Sequence, residues 1–273
     1  MSKLFNIFKR YKFELLVIYI FMLCMELSLL SQPFLLGKSI DGLLHGDYIW
    51  IGLLGCSYFI SILFNYRRML YDTKVYTKIY NDIVFDCIKK STVDASAKLA
   101  RAHMAGDIVG VLEGYVHYYI STIVTIIGSI GIIYLGNLYV GFAVTAAAVC
   151  ILLGVAMFYK KIKQSINLIN DNREHESKSI QRGYDTAISF YNKKRKLDIH
   201  ASTIQGKNWF IVNSIKYVFL IIAIILLVTT TNDITAGEVV TMYSYVDRFL
   251  ISLLSIPIAV EMYSRITNIL HRM

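Results

Sequence analysis

Residues 209–231 read WFIVNSIKYVFLIIAIILLVTTT, and Lys216 is the one charged side chain in this run. A run of roughly 18 or more residues with so little charge is typical of a helix that crosses the ~30 Å hydrocarbon core of a bilayer. Lipid offers the backbone no hydrogen-bond partners, so a spanning segment is a helix or a strand of a closed barrel, and this run lacks the alternation of a barrel strand. It therefore predicts a transmembrane helix.

Five other stretches share this apolar character and bring the predicted transmembrane helices to six. The core spans are 14–36, 48–66, 118–138, 140–159, 209–231 and 239–263. The composition agrees, because 56% of the residues are hydrophobic and 17% are charged, whereas soluble domains carry about 25% charge. A soluble enzyme, a disordered chain and a disulfide scaffold are excluded on these grounds.

Positive charge alternates along the connections between the spans. Lysine and arginine are concentrated before the first span, after the second and after the fourth, whereas the other connections hold Lys38 and four acids. The positive-inside rule then places both termini in the cytosol of a multi-pass protein of the cell (inner) membrane. Membrane topology and contact with lipid headgroups thereby explain the net charge of +9 without a nucleic-acid partner.

Two connections, 66–117 and 160–208, are too long and too poor in proline to be loops. Their residues permit helix and repeat apolar positions at three and four, so the spans are predicted to continue into the cytosol as helices. The second helix then extends to about 90, the third covers about 106–138, the fourth extends to about 181, the fifth covers about 185–231 and the sixth 235–270. Gly106 and Gly183 mark the expected turns, and residues 1–13 form an amphipathic elbow at the membrane surface.

Two stretches carry a resemblance to a known family. TAGEVVTMYSYVDR at 235–248 is similar to the TxGxxxxxxxYxxR start of the last helix in the transmembrane domain of ABC exporters. MAGDIVGVLEGY at 104–115 is similar to the segment that follows their first coupling helix. The elbow, the six helices and the two long hairpins also resemble that family in their order. The resemblance implies the ABC exporter fold, an all-α membrane domain that works as an interlocked homodimer and transports drugs or peptides by alternating access.

Full-length members of that family continue into a nucleotide-binding domain, and these 273 residues contain no P-loop. Gly37-Lys38-Ser39 is similar to the end of that motif, but Gln32 stands where the pattern needs glycine. We therefore expect no ATP hydrolysis, no other enzymatic activity, no metal and no cofactor in this chain.

Three readings remain open for such a chain. The SbmA/BacA-like transporters, which it resembles, imply a proton-driven homodimer that works without ATP. Other members of the family imply a membrane subunit whose ATPase is a separate polypeptide. A membrane scaffold that binds a partner through its basic hairpins is the third reading.

Ionisable residues at bilayer depth are costly and are therefore functional candidates. Glu26 lies near the middle of the first span. A carboxylic acid in apolar surroundings favours its protonated form and releases the proton when water reaches it, which is the chemistry that a proton-coupled carrier needs. The alternative is a neutral glutamic acid that hydrogen-bonds a neighbouring helix.

The sixth span holds Asp247, Arg248 and Glu261. Asp247 and Glu261 are close to four helical turns apart and share one face, so both are further candidates for proton coupling or for lining a cavity. Adjacent residues do not face each other on a helix, so Asp247 and Arg248 are expected to contact other helices, Arg248 as a cavity or structural residue. Glu261 can instead pair with Arg265, four residues later.

Pro33 and Pro257 fall within or at the end of the first and sixth spans. Each leaves a backbone carbonyl without its helical donor and can kink its helix. These two helices also hold most of the intramembrane charge. The kinks are therefore expected either as hinges for alternating access or as features of packing alone.

Overall fold

The computed structural model describes residues 9–90, 95–174, 181 and 183–255, and the regular secondary structure of these residues is α-helical. The helices are α1 (Lys12–Leu44), α2 (Ile49–Lys90), α3 (Ala95–Gly136), α4 (Leu138–Glu174), α5 (Tyr184–Thr230) and α6 (Ala236–Leu254).

Long apolar helices confirm the prediction of an all-helical membrane protein. Stretches long and apolar enough to cross a membrane lie in α1 to α5, at Lys12–Leu44, Ile49–Phe85, His117–Gly136, Leu138–Ser165 and Tyr184–Thr230. The 19 described residues of α6 include Glu238, Asp247 and Arg248, too much charge for them to stand out by hydropathy. The sixth span stays a prediction, and its second half lies outside the described residues.

Two helix boundaries differ from the expected ones, whereas the turn expected at Gly183 is present. Helix α1 continues past residue 36 to Leu44 and is followed by Gly46 at a φ of 78°. Helix α3 begins at Ala95, so Gly106 lies inside it and not at a turn, because the alanine-rich segment before Gly106 strongly favours helix. Gly183 has a φ of 111° just before α5, which is the turn conformation that glycine adopts most easily.

Helix α2 is a single helix of 42 residues, about 63 Å long at 1.5 Å per residue. This is roughly twice the thickness of the hydrocarbon core. Its basic second half is therefore long enough to project well beyond the bilayer, on the side that the charge distribution predicts to be cytosolic.

The chain divides into two compact units. The first contains Met1–Gly141 and Leu226–Met273, so it holds α1, α2, α3 and α6. The second contains Phe142–Ile225, which is most of α4 and α5. In the second unit Gly154 of α4 leaves room for Val212 and Ile215 of α5, so that these helices approach each other there.

Side chains from three helices build the core of the first unit at the N-terminal end of α1. Its fully buried members are Tyr11, Leu15, Ile18, Val75, Tyr76, Ile79 and Val109. The Tyr11 hydroxyl donates to the Asp82 carboxylate, and burial together with that bond raises the pKa of Tyr11 to about 12. Tyr11 therefore remains a hydrogen-bond donor at every physiological pH.

Ion pairs and hydroxyl groups fix α1 along α2. Arg10 lies 3.2 Å from Asp82, and Lys78 lies 3.4 Å from Glu14. Further along, the Ser28 hydroxyl donates to the Ser57 carbonyl at 2.8 Å, and the Ser57 hydroxyl donates to the Ser28 carbonyl at 3.1 Å. Small hydroxyl residues of this kind allow close approach and interhelical hydrogen bonds inside a membrane.

Replacement of Ile79 by alanine tests this core. Ile79 is fully buried, so Ile79→Ala should lower the free energy of unfolding by about 2–5 kcal/mol. Ile62, on the same helix, is 65% exposed, and Ile62→Ala should cost much less because lipid tails are as apolar as the side chain. Thermal unfolding in detergent, followed by circular dichroism, measures both variants. Equal losses would contradict the placement of Ile79.

Candidate functional site

Glu26 is buried where three helices of the first unit meet. Its side chain is on α1, it is 5% exposed, and it hydrogen-bonds Ser121 of α3. Arg248 of α6 is within range of electrostatic interaction with the same carboxyl group. The acid predicted at mid-span thus points into the protein, where a polar environment can hold it either with or without its proton.

Pro33 lies inside α1 and has no N–H, so the carbonyl of Leu29 loses its partner four residues later. Arg248 of α6 replaces that partner, because its Nη1 donates to the Leu29 carbonyl at 2.6 Å. The Tyr245 hydroxyl donates to the next carbonyl, that of Leu30, at 2.8 Å. Helix α6 therefore supplies the donor that Pro33 takes from Leu29 and adds a second donor at the neighbouring carbonyl of Leu30.

One face of α6 makes all of these bonds. Thr241 donates to the Pro33 carbonyl at 3.2 Å, and Thr241, Tyr245 and Arg248 follow each other at intervals of four and three residues, which places them in one row. Arg248 was predicted as a cavity or structural residue. The structure assigns it a direct bond to the backbone of α1 one turn before Pro33.

The N-terminus of α6 is attached to α1 by a carboxylate. Asp41 accepts from the Thr235 hydroxyl at 2.7 Å and from the Gly237 N–H at 2.8 Å. Thr235 also caps α6 in a reciprocal capping box with Glu238, an arrangement that satisfies the first free N–H groups of a helix. A negative charge at this position is further favoured by the helix dipole.

Glycines allow the two helices to touch. A Cβ atom on Gly37 of α1 would collide with Thr241 and with the Gly237 carbonyl, and one on Gly237 would collide with the Gly37 carbonyl. This contact also explains the sequence Gly37-Lys38-Ser39. It lies within a helix, where its glycine serves helix crossing, and not in the strand–loop–helix context of a phosphate-binding loop.

Two connected cavities lie beside the α1–α6 contact. Their volumes are about 380 and 370 Å³, and they share Phe34, Ile132 and Tyr245 in their walls. The walls are mainly apolar, and the wall of the second cavity also includes the charged residues Lys38, Asp41 and Glu238. Clefts of this size and character suit an apolar ligand that has a polar or charged end.

A second group of buried charges was missed from the sequence. Arg68 and Asp72 of α2 lie 3.6 Å apart, and their side chains are 12% and 10% exposed. Among the described residues no hydrogen-bond partner is found for Arg68 Nε, Asp72 Oδ1 or the buried Nδ1 of His117. Arg68 interacts electrostatically with Asp72, His117 and also Glu26. The available signal was an Arg–Asp pair at i,i+4 in a helix, which the strongly basic surroundings obscured.

Three further candidates from the sequence are Asp247, Pro257 and Glu261. Asp247 is half-buried on α6. Pro257 and Glu261 lie outside the described residues, so their predicted roles stay predictions. The structure therefore brings together Glu26, Pro33 and Arg248, and it adds Arg68 and Asp72.

The sequence matches the model of a known protein family. A family model described as an ABC transporter transmembrane region matches residues 4–237, which include α1 to α5 and the first residues of α6. Among curated proteins, none matches the chain significantly.

Substitution of Gly237 tests the helix crossing. In Gly237→Ala the new methyl group meets the backbone of Gly37, so the two helices must separate and the thermal midpoint of unfolding should fall. Gly131→Ala in α3 is the matched control, since a methyl group there has no atom within 4 Å and alanine favours helix by about 0.8–1 kcal/mol. A stable Gly237→Ala protein would refute the close contact.

A double-mutant cycle tests the bond between Arg248 and the Leu29 carbonyl. Arg248→Gln should destabilise the protein by about 1.5–3 kcal/mol, the value of a hydrogen bond to a charged donor. Pro33→Ala restores an N–H for the Leu29 carbonyl within α1, so Arg248→Gln should cost clearly less in that background. Free energies of unfolding of the four proteins measure this coupling. Strictly additive losses would show that Pro33 and Arg248 act independently.

Proposed function

The chain belongs to the family of ABC transporter transmembrane regions, and on that premise we propose that two copies of it form a proton-driven membrane transporter. It moves amphipathic small molecules or peptides by alternating access, in the cell membrane and with both termini in the cytosol. The observation that carries the proposal is the buried Glu26 carboxyl group, which interacts electrostatically with Arg248, the residue that also binds the Leu29 carbonyl before Pro33.

Arg248 provides the link between a proton and a movement. When Glu26 is ionised, its carboxylate attracts the guanidinium group; when it is protonated, the Leu29 carbonyl retains Arg248 with less competition. A ligand shifts a conformational equilibrium only if it interacts differently with the two states. A proton on Glu26 has such a differential effect, because the same cation binds the backbone one turn before Pro33.

The cavities beside the α1–α6 contact support the substrate class. A mainly apolar wall that also includes Lys38, Asp41 and Glu238 fits molecules that have an apolar body and a charged group. Movement of α6 along α1 would change the shape of these cavities, since Tyr245 both lines them and binds the Leu30 carbonyl. Substrate binding and the α1–α6 contact would then be coupled through the same side chain.

The family supports the proposed dimer, because its exporter members enclose their pathway between two sets of six helices. Apolar side chains on α5 are consistent with such an assembly, because Trp209, Phe210 and Ile221 are more than half exposed and suit contact with lipid or with a second copy. Homo-oligomers of this kind are most often two-fold symmetric.

A second candidate function is that of an ATP-driven transporter whose ATPase lies outside these 273 residues. The family match favours it directly, since ABC transporter transmembrane regions work with ATPases. In this case the hairpin between α2 and α3 and the one between α4 and α5 would be the surfaces that contact the ATPase.

Transport by purified protein in liposomes separates the two functions. Ethidium and a fluorescein-labelled cationic amphipathic peptide serve as probes, and a pH gradient of either polarity is imposed without ATP. We expect the wild type to accumulate at least one probe and Glu26→Gln to show only the uptake of protein-free liposomes. Asp198→Asn, an exposed carboxylate on α5, is the control and should transport like the wild type.

Two results would overturn proton coupling. One is gradient-driven uptake that is unchanged in Glu26→Gln. The other is uptake in native membrane vesicles that requires ATP, is inhibited by vanadate and does not depend on the pH gradient. This second result would establish the ATP-driven alternative.

A further inference from the structure

Arg68 is a single cation between two buried carboxyl groups that lie on different helices. It is 3.6 Å from Asp72, four residues later on α2, and it also acts electrostatically on Glu26 of α1. The guanidinium group presents five donors in a planar fork. Its Nε and the Asp72 Oδ1 have no hydrogen-bond partner within the described parts of the chain. The pair thus has unused hydrogen-bonding capacity in a buried position.

Groups from three helices face Asp72. Asp72 interacts electrostatically with Tyr19 of α1, with Arg68 and Tyr76 of α2, and with Glu113 of α3. Tyr19 is half-buried and Tyr76 is 4% exposed, whereas Glu113 is exposed. Asp72 is therefore screened from bulk water on the side of α1 and has an exposed acid as its neighbour on the side of α3.

Position along the helix separates the two carboxyl groups. The ring of Tyr71, next to Asp72 in the sequence, contacts the ring of Phe21 on α1, and Phe21 precedes Glu26 by five residues, which is about 7.5 Å of helix rise. Asp72 is thus nearer than Glu26 to the end of the bundle that carries Tyr11 and the basic half of α2. By the charge distribution this is the cytosolic end.

We propose that Asp72 is a second proton-binding site of the transporter and that Arg68 alternates between Asp72 and Glu26. The inference rests on the proposed proton coupling at Glu26. In the step, the carboxyl group of Glu26 loses its proton and the carboxylate of Asp72 gains one, while Arg68 turns from Asp72 to Glu26. One proton leaves and one is bound, so the net charge of the buried group stays the same.

The constant charge is the physical reason for the arrangement. An unpaired charge in a protein interior is strongly disfavoured, and removal of one partner from a buried pair leaves such a charge behind. Arg248, the other cation that acts on Glu26, is engaged at the Leu29 carbonyl, so Arg68 is the cation that can move between the two acids. The carboxyl group that Arg68 leaves is then the one that binds the proton. The proton therefore moves between two depths of the bundle without an unpaired buried charge at either end of the step.

Infrared difference spectroscopy of the purified full chain in lipid nanodiscs measures this coupling without a transported substrate. Protonated carboxyl groups give a separate carbonyl band, and the part of it that disappears in Glu26→Gln belongs to Glu26. In Asp72→Asn, Arg68 is free to stay with Glu26. We therefore expect Glu26 to lose its proton at a pH lower by about one unit, a tenfold change in proton affinity.

Arg68→Gln is the opposite variant. Without the cation Glu26 should lose its proton at a pH higher by about one unit. If Asp72→Asn does not fold, Arg68→Gln alone tests whether Arg68 acts on Glu26. Asp82→Asn is the matched control on the same helix, because Asp82 pairs with Arg10 and Tyr11 at the end of the bundle, and it should leave the Glu26 titration unchanged. An unchanged titration in folded Asp72→Asn or Arg68→Gln overturns the proposal.

The transport assay keeps the two proposals apart. If Glu26→Gln abolishes gradient-driven uptake but Glu26 titrates at the same pH in Asp72→Asn and Arg68→Gln as in the wild type, the second site is refuted. The proposed function then stands. If the Glu26 titration shifts as expected in these variants but uptake does not depend on the pH gradient, proton-driven transport is refuted. The sharing of Arg68 between the two acids then stands as a property of the fold.

Discussion

The missing N–H of Pro33 is the constraint on which the arrangement of α1 and α6 depends. Inside a bilayer a backbone carbonyl without a donor costs several kcal/mol, so α6 must supply one, and Arg248 does so at the Leu29 carbonyl. With that bond fixed, the register of the two helices is fixed as well. Gly37 then meets Gly237, and the N-terminus of α6 arrives at the Asp41 carboxylate.

The same bond connects structure to chemistry, because Arg248 is shared between the Leu29 carbonyl and Glu26. If Arg248 served only to bind the Leu29 carbonyl, it would not need Glu26 within electrostatic range. If Glu26 served only in packing, it would not need a cation that has a second partner. Arg68 repeats the arrangement one level away, between Glu26 and Asp72. Each buried carboxyl group therefore interacts with a cation that also has another partner, which is what the proposed proton coupling needs.

Much of this organisation could be read from the sequence, and the reasons for the failures are physical. Hydropathy and charge predicted the helical membrane fold. The free-energy cost of a charge in lipid pointed to Glu26 and Arg248, and the missing N–H of proline pointed to Pro33, each as a separate candidate. Their meeting could not be predicted, because it depends on how α6 packs against α1. Arg68 and Asp72 were missed because charges just beyond an apolar run are normally explained by topology, whereas here a neighbouring helix buries them.

Helix α6 shows why hydropathy underestimates helices of this kind. Its charges make it a weak membrane segment by composition, but Arg248 is bound to a carbonyl of α1, and Glu238 belongs to the cap of the helix itself. The relevant transfer is therefore from water to a polar groove on α1, not from water to lipid, and it is much less costly. The polar contacts of α6 with α1 are concentrated at Leu29, Leu30 and Pro33, so a change of α1 at Pro33 would alter the contacts of α6, which is the behaviour that the proposed alternating access needs.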